Sequence, residues 1–409
     1  MLRVDSVIGS IPGFRAAGVH AGLKKEGQPD FALILADRPC ATAGVFTRSQ
    51  VKAAPVLLSQ KHLHNNAGQI RAITVNTVSA NAATGEQGME NARQMSALVA
   101  EQAGLSPEQV LVMSTGVIGT QLPMQKIAHG AELSYAQLGR GWQSAATAIM
   151  TTDTQPKMAS TQIMTVHGNY HIAGISKGSG MIAPNMATML GVIVTDAKMS
   201  VAQAQQALKA ANEVSFNRIV VDGDTSTNDM VVLMAGGASG VEIASDADLV
   251  QFTEFLTMIC TKLAQDVVRD GEGASKFITL DVFGADDDAA AAQIAHTIAA
   301  SPLVKTAFAG NDANVGRLLM AIGRAGVDLD VNKLRLWISS GEQLFEDDRG
   351  LLLFENGAFT DYSEDVATEI VSEEASYISL ECGSGSGQAT VWTCDLTHEY
   401  VSINADYRS

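Results

Sequence analysis

The chain has 409 residues, 46% of them apolar and 17% charged, so it can build more than one packed core and is neither a disordered nor a coiled-coil protein. Its formal charge of −17 repels phosphate backbones and anionic lipid, which argues against nucleic-acid and membrane-surface partners. No apolar run approaches the ~18 residues needed to cross a bilayer, and MLRVDSVIGSIPGF lacks the blocks of an export signal, so a cytoplasmic enzyme is expected.

In chain order, short apolar runs alternate with helical stretches, an α/β pattern. FALILA (31–36), AITV (72–75) and VLVMS (110–114) predict strands. Residues 88–103 predict a helix with Met95, Leu98 and Val99 on one side. LGVIVTDA (190–197) predicts a buried strand, and Ser200 with Gln203 forms a capping box ahead of the next helix. VVLMAGG (231–237) is strand-like, and the longest helix is expected over 246–268. KFITLDVFGA (276–285) predicts a strand, and three aspartates then open a helix whose macrodipole favours them. From Leu351 onward, LLLF, YISLEC, ATVWTCDL and EYVSIN all read as strands. A composition shift near residue 280 places a boundary between a main domain (1–280) and a C-terminal domain (281–409).

Cys40, Cys260, Cys382 and Cys394 lie far apart without a C-x-x-C, which fits buried thiols rather than disulfides or zinc. The histidines lack ligand spacing. His62 and His64 fall in the polar stretch SQKHLHNN, which reads as a surface helix end.

KGSGMIAPNMATML (177–190) spends one lysine and many small residues just before a buried strand. A threonine hydroxyl is a weak nucleophile unless a base stands beside it. An N-terminal threonine carries that base itself, an α-amine with a reference pKa of about 7.7–8.0. A cut between Ala187 and Thr188, in a turn shaped by Gly178, Gly180 and Pro184, would create one. The plainer reading is a threonine at a strand start. In MSTGVIG, the Thr115 hydroxyl and the Gly116 N–H could form an oxyanion hole, or simply a strand exit. VDGDTSTND holds Asp222, Asp224, Asn228 and Asp229, but its glycine is misplaced for a calcium loop, and a polar turn fits better. In VRDGEGASKF, Gly271 suits a left-handed helix cap, and Glu272 suits either a substrate ammonium or plain surface charge. FAGNDANVGRLL is neither a P-loop nor a dinucleotide fingerprint. The end YVSINADYRS reads as a strand delivering Asn404 and Ser409 toward a pocket.

GFRAAGVHAGLKK, VKAAPV, STGVIG, IMTTDTQPK, KGSGMIAPNMATML, VDGDTSTND, DGEGASKF and CDLTHEYVSINADYRS occur in this order. Together they resemble the ornithine acetyltransferase family, the glutamate N-acetyltransferases of arginine biosynthesis, over nearly the whole chain. The resemblance implies an α-β-β-α sandwich of stacked sheets with a smaller C-terminal α/β domain. It implies self-cleavage between Ala187 and Thr188 into chains 1–187 and 188–409, which stay together as an α2β2 assembly. It makes Thr188 the nucleophile, Thr115 and Gly116 the oxyanion hole, and Thr154, Lys177, Thr188, Glu272, Asn404 and Ser409 the substrate contacts. The implied reaction moves an acetyl group from N2-acetylornithine to glutamate through acetyl-Thr188, with no metal or bound cofactor. Bifunctional members also use acetyl-CoA as donor.

Two stretches depart from the family pattern. NTVSANA carries Val78 where the family has glycine, which is costly if that position needs positive φ. DANVGR carries Ala313 and Val315 where the family has proline and tryptophan, which removes packing surface. An amidase or aminopeptidase of the related self-cleaving fold, and a non-catalytic binding protein on the same scaffold, are the alternatives.

Overall fold

The computed structural model describes residues 4–25, 27–183, 189–344 and 349–406. In chain order the first nine strands are β1 (Phe14–Val19), β2 (Phe31–Phe46), β3 (Ile70–Asn76), β4 (Val110–Ser114), β5 (Lys157–Thr165), β6 (Gly168–Lys177), β7 (Leu190–Thr195), β8 (Ile219–Val220) and β9 (Met230–Ala235). Helices α1 (Ala54–Asn66), α2 (Gly85–Ala103), α3 (Met124–Ala136), α4 (Trp142–Ala148) and α5 (Val201–Glu213) lie between them, and α6 (Asp246–Arg269) follows. All these strands but β8 join one sheet, ordered β4-β3-β2-β9-β7-β6-β5 with β1 beside β2.

The 16-residue β2 explains how this sheet folds over on itself. Its first part, Phe31–Leu35, pairs with β1 and β3; its register then breaks, and Ala41–Phe46 pairs with β9. Side chains alternate across each half, as strand geometry demands. Ile34, Ile73 and Met113 from one half meet Ile175, Val192 and Met234 from the other in a common core. Leu33 and Leu35 point the opposite way, onto Met95 and Val99 of α2 and Ile127 of α3. Ile193 and Leu233 likewise turn outward onto Leu208 of α5 and Leu256 and Leu263 of α6. The result is four layers, helix-sheet-sheet-helix, as the resemblance implies.

A second sheet contains β10 (Phe277–Ala285), β11 (Arg335–Ser340), β12 (Leu351–Glu355), β13 (Ala358–Phe359), β14 (Ala375–Glu381) and β15 (Gly387–Cys394). Its order is β13-β12-β11-β14-β10-β15-β8, so the earlier Ile219–Val220 segment supplies one edge. Helices α7 (Asp288–Ala299), α8 (Pro302–Ala309), α9 (Val315–Gly323) and α10 (Glu364–Ser372) accompany this sheet. Ala313 and Val315 are buried in that core with Phe308 and Leu318, so the small residues sit inside packed structure.

The expected elements through Ala285 are all present, including the Ser200–Gln203 capping box. Three local expectations fail. EYVSIN is not a strand but part of helix α11 (His398–Asp406). Strand β15 already has β10 on one side and β8 on the other, so no free ladder is left for it to join. Within α11, the Asn404 amide donates instead to the Tyr400 carbonyl at 3.0 Å. His62 is not a surface residue: it is buried, with Nδ1 2.9 Å from the Val110 carbonyl oxygen. Gly271 is not left-handed; Gly273 is, at φ 69°. The four cysteines are buried and unpaired. Among the described residues, no helix is long and apolar enough to cross a membrane.

Candidate active site

Sheet register brings several segments to one place. Lys177 at the end of β6 pairs with Leu190 at the start of β7, and Leu190 pairs with Met230 at the start of β9. Their ends open into a cleft of about 100 Å³, which Thr115, Gly116, Lys177, Asp229, Glu272 and Asn404 help to line.

Lys177 is 5% exposed. Its Nζ donates to the Thr115 hydroxyl at 3.2 Å and lies 4.0 Å from Asp153 Oδ2. Burial pushes its ammonium below the usual lysine range, against the pull of Asp153. Asp153 is itself fully buried. It accepts from Lys157 Nζ at 2.7 Å, from the Gly178 N–H at 2.7 Å and from the Thr151 N–H at 3.0 Å. Burial works against its charge, but Lys177 and Lys157 outweigh it and hold the carboxyl below the ordinary range. The charge of Lys177 is therefore shared rather than neutralised, and it is available to a ligand carboxylate.

Gly116 adopts φ 130°, and Val78 beside it adopts φ 76°. The Val117 N–H donates to the Val78 carbonyl at 2.9 Å, which locks the two turns together. The Thr115 N–H is used by the Asn76 carbonyl at 3.1 Å. Among the described residues the Gly116 N–H has no such partner. The Thr115 hydroxyl accepts from Lys177, so its own proton is free to point into the cleft. Hydroxyl and amide together form a pair of donors suited to a developing oxyanion.

Glu272 closes the opposite wall. Its carboxylate accepts from the Thr152 hydroxyl at 2.7 Å and from the Asn404 amide at 2.8 Å. Its N–H donates to the Ser179 carbonyl at 2.8 Å. Sequence reasoning chose Thr154, but the structure turns that side chain away. Its hydroxyl donates to Asp270, and its N–H lies 3.0 Å from the same carboxylate. Asp270 also accepts from Lys157 at 2.5 Å, which ties the exposed Thr154 to the ion network of Asp153 and Lys157. Thr152, two residues earlier, lines the cleft. The repeated threonines of MTTDT gave no signal for choosing between them.

Ala187 and Thr188, the proposed cleavage pair, lie outside the described residues, as does Ser409. The segment leading to them is anchored by Asp222, which accepts from the N–H groups of Met181 at 2.5 Å and Ile182 at 2.9 Å. Asp222 also accepts from the Asp224 N–H at 3.2 Å, the polar turn expected of VDGDTSTND. Asp229, from the same loop, was weighed in the sequence only as part of a calcium loop or a polar turn. It is buried in the cleft floor. Burial drives its carboxyl well above the ordinary range, against the Met189 N–H and Lys177. Among the described residues, no group of His, Cys, Asp and Glu is arranged to hold a metal ion.

Fold and cleft together define a four-layered α/β protein with a cation, a carboxylate and hydrogen-bond donors converging at the ends of its sheets. The ArgJ family pattern matches residues 15–409. The arginine biosynthesis bifunctional protein ArgJ of Chlorobaculum tepidum is 47% identical over 97% of this chain and 96% of its own length. That of Geobacter sulfurreducens is 43% identical over 98% and 100%. A crystal structure of the protein of the same name from Bacillus halodurans is 39% identical, over 52% of this chain and 96% of that one, with a TM-score of 0.48. The ornithine acetyltransferase of Mycobacterium tuberculosis, solved with ornithine, is 36% identical over 45% of this chain and 98% of that one, with a TM-score of 0.42. This chain belongs to the ArgJ family.

Proposed function

We propose that the chain is a self-cleaving acyltransferase of arginine biosynthesis, which moves an acetyl group from N2-acetylornithine to glutamate. Hydrolysis of the Ala187–Thr188 peptide bond frees the α-amine of Thr188. That amine takes the Thr188 hydroxyl proton as Oγ attacks the acetyl carbonyl. Thr115 and Gly116 receive the oxyanion, and ornithine departs with the proton. The amine of glutamate then attacks the acetyl ester, and N-acetylglutamate leaves. Lys177 holds a substrate α-carboxylate, and Glu272, set by Thr152 and Asn404, holds an ammonium.

The observation that carries this reading is the convergence of Lys177, Thr115, Gly116 and Glu272 on one cleft, whose floor is Met189, the residue that follows Thr188. The relatives' name supports the pathway and a second activity, for which the family resemblance offers acetyl-CoA as a further donor. No cofactor is required by this chemistry. The cut chains remain together as an α2β2 assembly in the cytoplasm.

Intact mass under denaturing conditions tests the nucleophile. Two fragments, the second starting at Thr188, are expected from the parent, and one uncut chain from Thr188→Ala. Glutamate-dependent release of ornithine, with ping-pong kinetics, is expected next. Ornithine release that ignores glutamate would instead assign an amidase.

A further inference from the structure

The KGSG turn at the end of β6 sets one serine between two glycines. Its backbone is bonded to the cleft wall on both sides. The Gly178 N–H donates to Asp153 at 2.7 Å, and the Ser179 carbonyl accepts from the Glu272 N–H at 2.8 Å. Ser179 is 1% exposed, and its hydroxyl lies 2.7 Å from the Thr152 hydroxyl. The Thr152 hydroxyl in turn stands 2.7 Å from Glu272 Oε1.

Counting protons gives this chain of oxygens a direction. An ionised carboxylate only accepts, and a hydroxyl carries a single proton. Thr152 therefore spends its proton on Glu272 and accepts the proton of Ser179. Burial keeps water from taking the place of Ser179. Bonds linked in this way polarise one another where the local dielectric is low. Without Ser179 the Thr152 hydroxyl keeps its acceptor but loses the group that holds its oxygen in place.

We propose that Ser179 is a positioning residue for the side-chain ammonium of ornithine, acting through Thr152 on Glu272. Its hydroxyl keeps the Thr152 proton on Oε1, while the Asn404 amide takes Oε2 at 2.8 Å. The carboxylate is held in one orientation and keeps its remaining lone pairs for the ligand. The proposal deepens the acetyl-transfer reading and rests on Glu272 receiving that ammonium. It predicts that Ser179 affects ligands that carry the ammonium and spares those that lack it.

Ornithine and norvaline form the test pair, because norvaline has the same carbon skeleton and α-carboxylate but no δ-amine. Dissociation constants for both are measured by calorimetry on the parent and on variants that melt cooperatively. The parent is expected to bind ornithine more tightly. Ser179→Ala is expected to weaken ornithine about fivefold and to leave norvaline within about 1.5-fold. On a Thr152→Val background, adding Ser179→Ala is expected to cost less than about 1.5-fold, because the path to Glu272 is already broken. Ser179→Cys keeps the size of the side chain with a weak donor and is read in the same way, so the test stands if the alanine variant fails to fold. Unchanged ornithine binding overturns the proposal. So does equal weakening of both ligands, which a merely structural role would give, or full additivity with Thr152→Val. A parent that binds norvaline as tightly as ornithine would instead overturn the placement of the ammonium on Glu272, and the role of Ser179 with it.

Discussion

A Cβ placed on Gly116 would stand 2.2 Å from the carbonyl carbon of Val78. Both atoms involved are backbone or bonded directly to it, so no rotamer change relieves the contact. Gly116→Ala is therefore expected to destabilise by roughly 3 kcal/mol and to displace the free N–H of the oxyanion pair, with about 10²-fold lower kcat. Denaturant melts and steady-state kinetics check both parts. Val78 carries the opposite strain. A β-branched residue at positive φ costs roughly 1–3 kcal/mol, partly offset by about 1 kcal/mol from its half-buried methyls. Val78→Gly is expected to gain about 1 kcal/mol in a urea melt; a loss would show that the methyls matter more than the backbone.

Asp153 serves two buried lysines at once. Its removal leaves Lys157 leaning on Asp270 alone and Lys177 without its nearest carboxylate. Asp153→Asn is expected to cost roughly 3–5 kcal/mol. Its folded carboxyl lies below the ordinary range, so its contribution is complete above the unfolded pKa of about 3.9 and is lost as pH falls below it. Parent stability should drop more steeply than that of Asp153→Asn on acidification below about pH 4. Parallel curves would remove Asp153 from the acid response.

Thr152 and Thr154 separate cleft from scaffold. Thr152→Val takes a donor from Glu272, and the expected outcome is roughly tenfold lower kcat/KM with little change in melting. Thr154→Val takes a donor from Asp270, and the expected outcome is the reverse. Kinetics and melts on the two variants decide which hydroxyl serves the substrate.

Gly180 offers a way to move Glu272 without replacing it. A Cβ there would meet the Glu272 carboxylate at 2.4 Å, and that group is the end of a flexible side chain. Gly180→Ala is expected to fold normally and to raise KM for N2-acetylornithine about tenfold by swinging the carboxylate off Thr152 and Asn404. An unchanged KM would separate Glu272 from ornithine binding.

Much of this was legible in the chain. The apolar runs of β3, β4, β7, β9 and β10 are fixed by burial on both faces, and such runs declare themselves in sequence. Lys177, Thr115, Gly116 and Glu272 were found through motifs, because rigid sites place their residues at fixed offsets. EYVSIN was misread because its alternation matches a strand, while the pairing of β15 on both sides is a tertiary fact. Thr154 came from the resemblance, and neither spacing nor residue type tells that its hydroxyl meets Asp270 while that of Thr152 meets Glu272. Asp229 was read as part of a polar turn because a carboxyl in such a loop looks solvated until the fold buries it.

The strand order β2-β9-β7-β6 has a kinetic meaning. A cut between Ala187 and Thr188 assigns β2 and β6 to one product and β7 and β9 to the other, so the second product is threaded between strands of the first. Neither product can complete the eight-stranded sheet by itself. Unfolding a cut molecule therefore converts one solute into two, and recovery becomes second order in protein. The uncut Thr188→Ala chain should regain structure at a rate independent of concentration, while the cut parent should recover more slowly with each dilution.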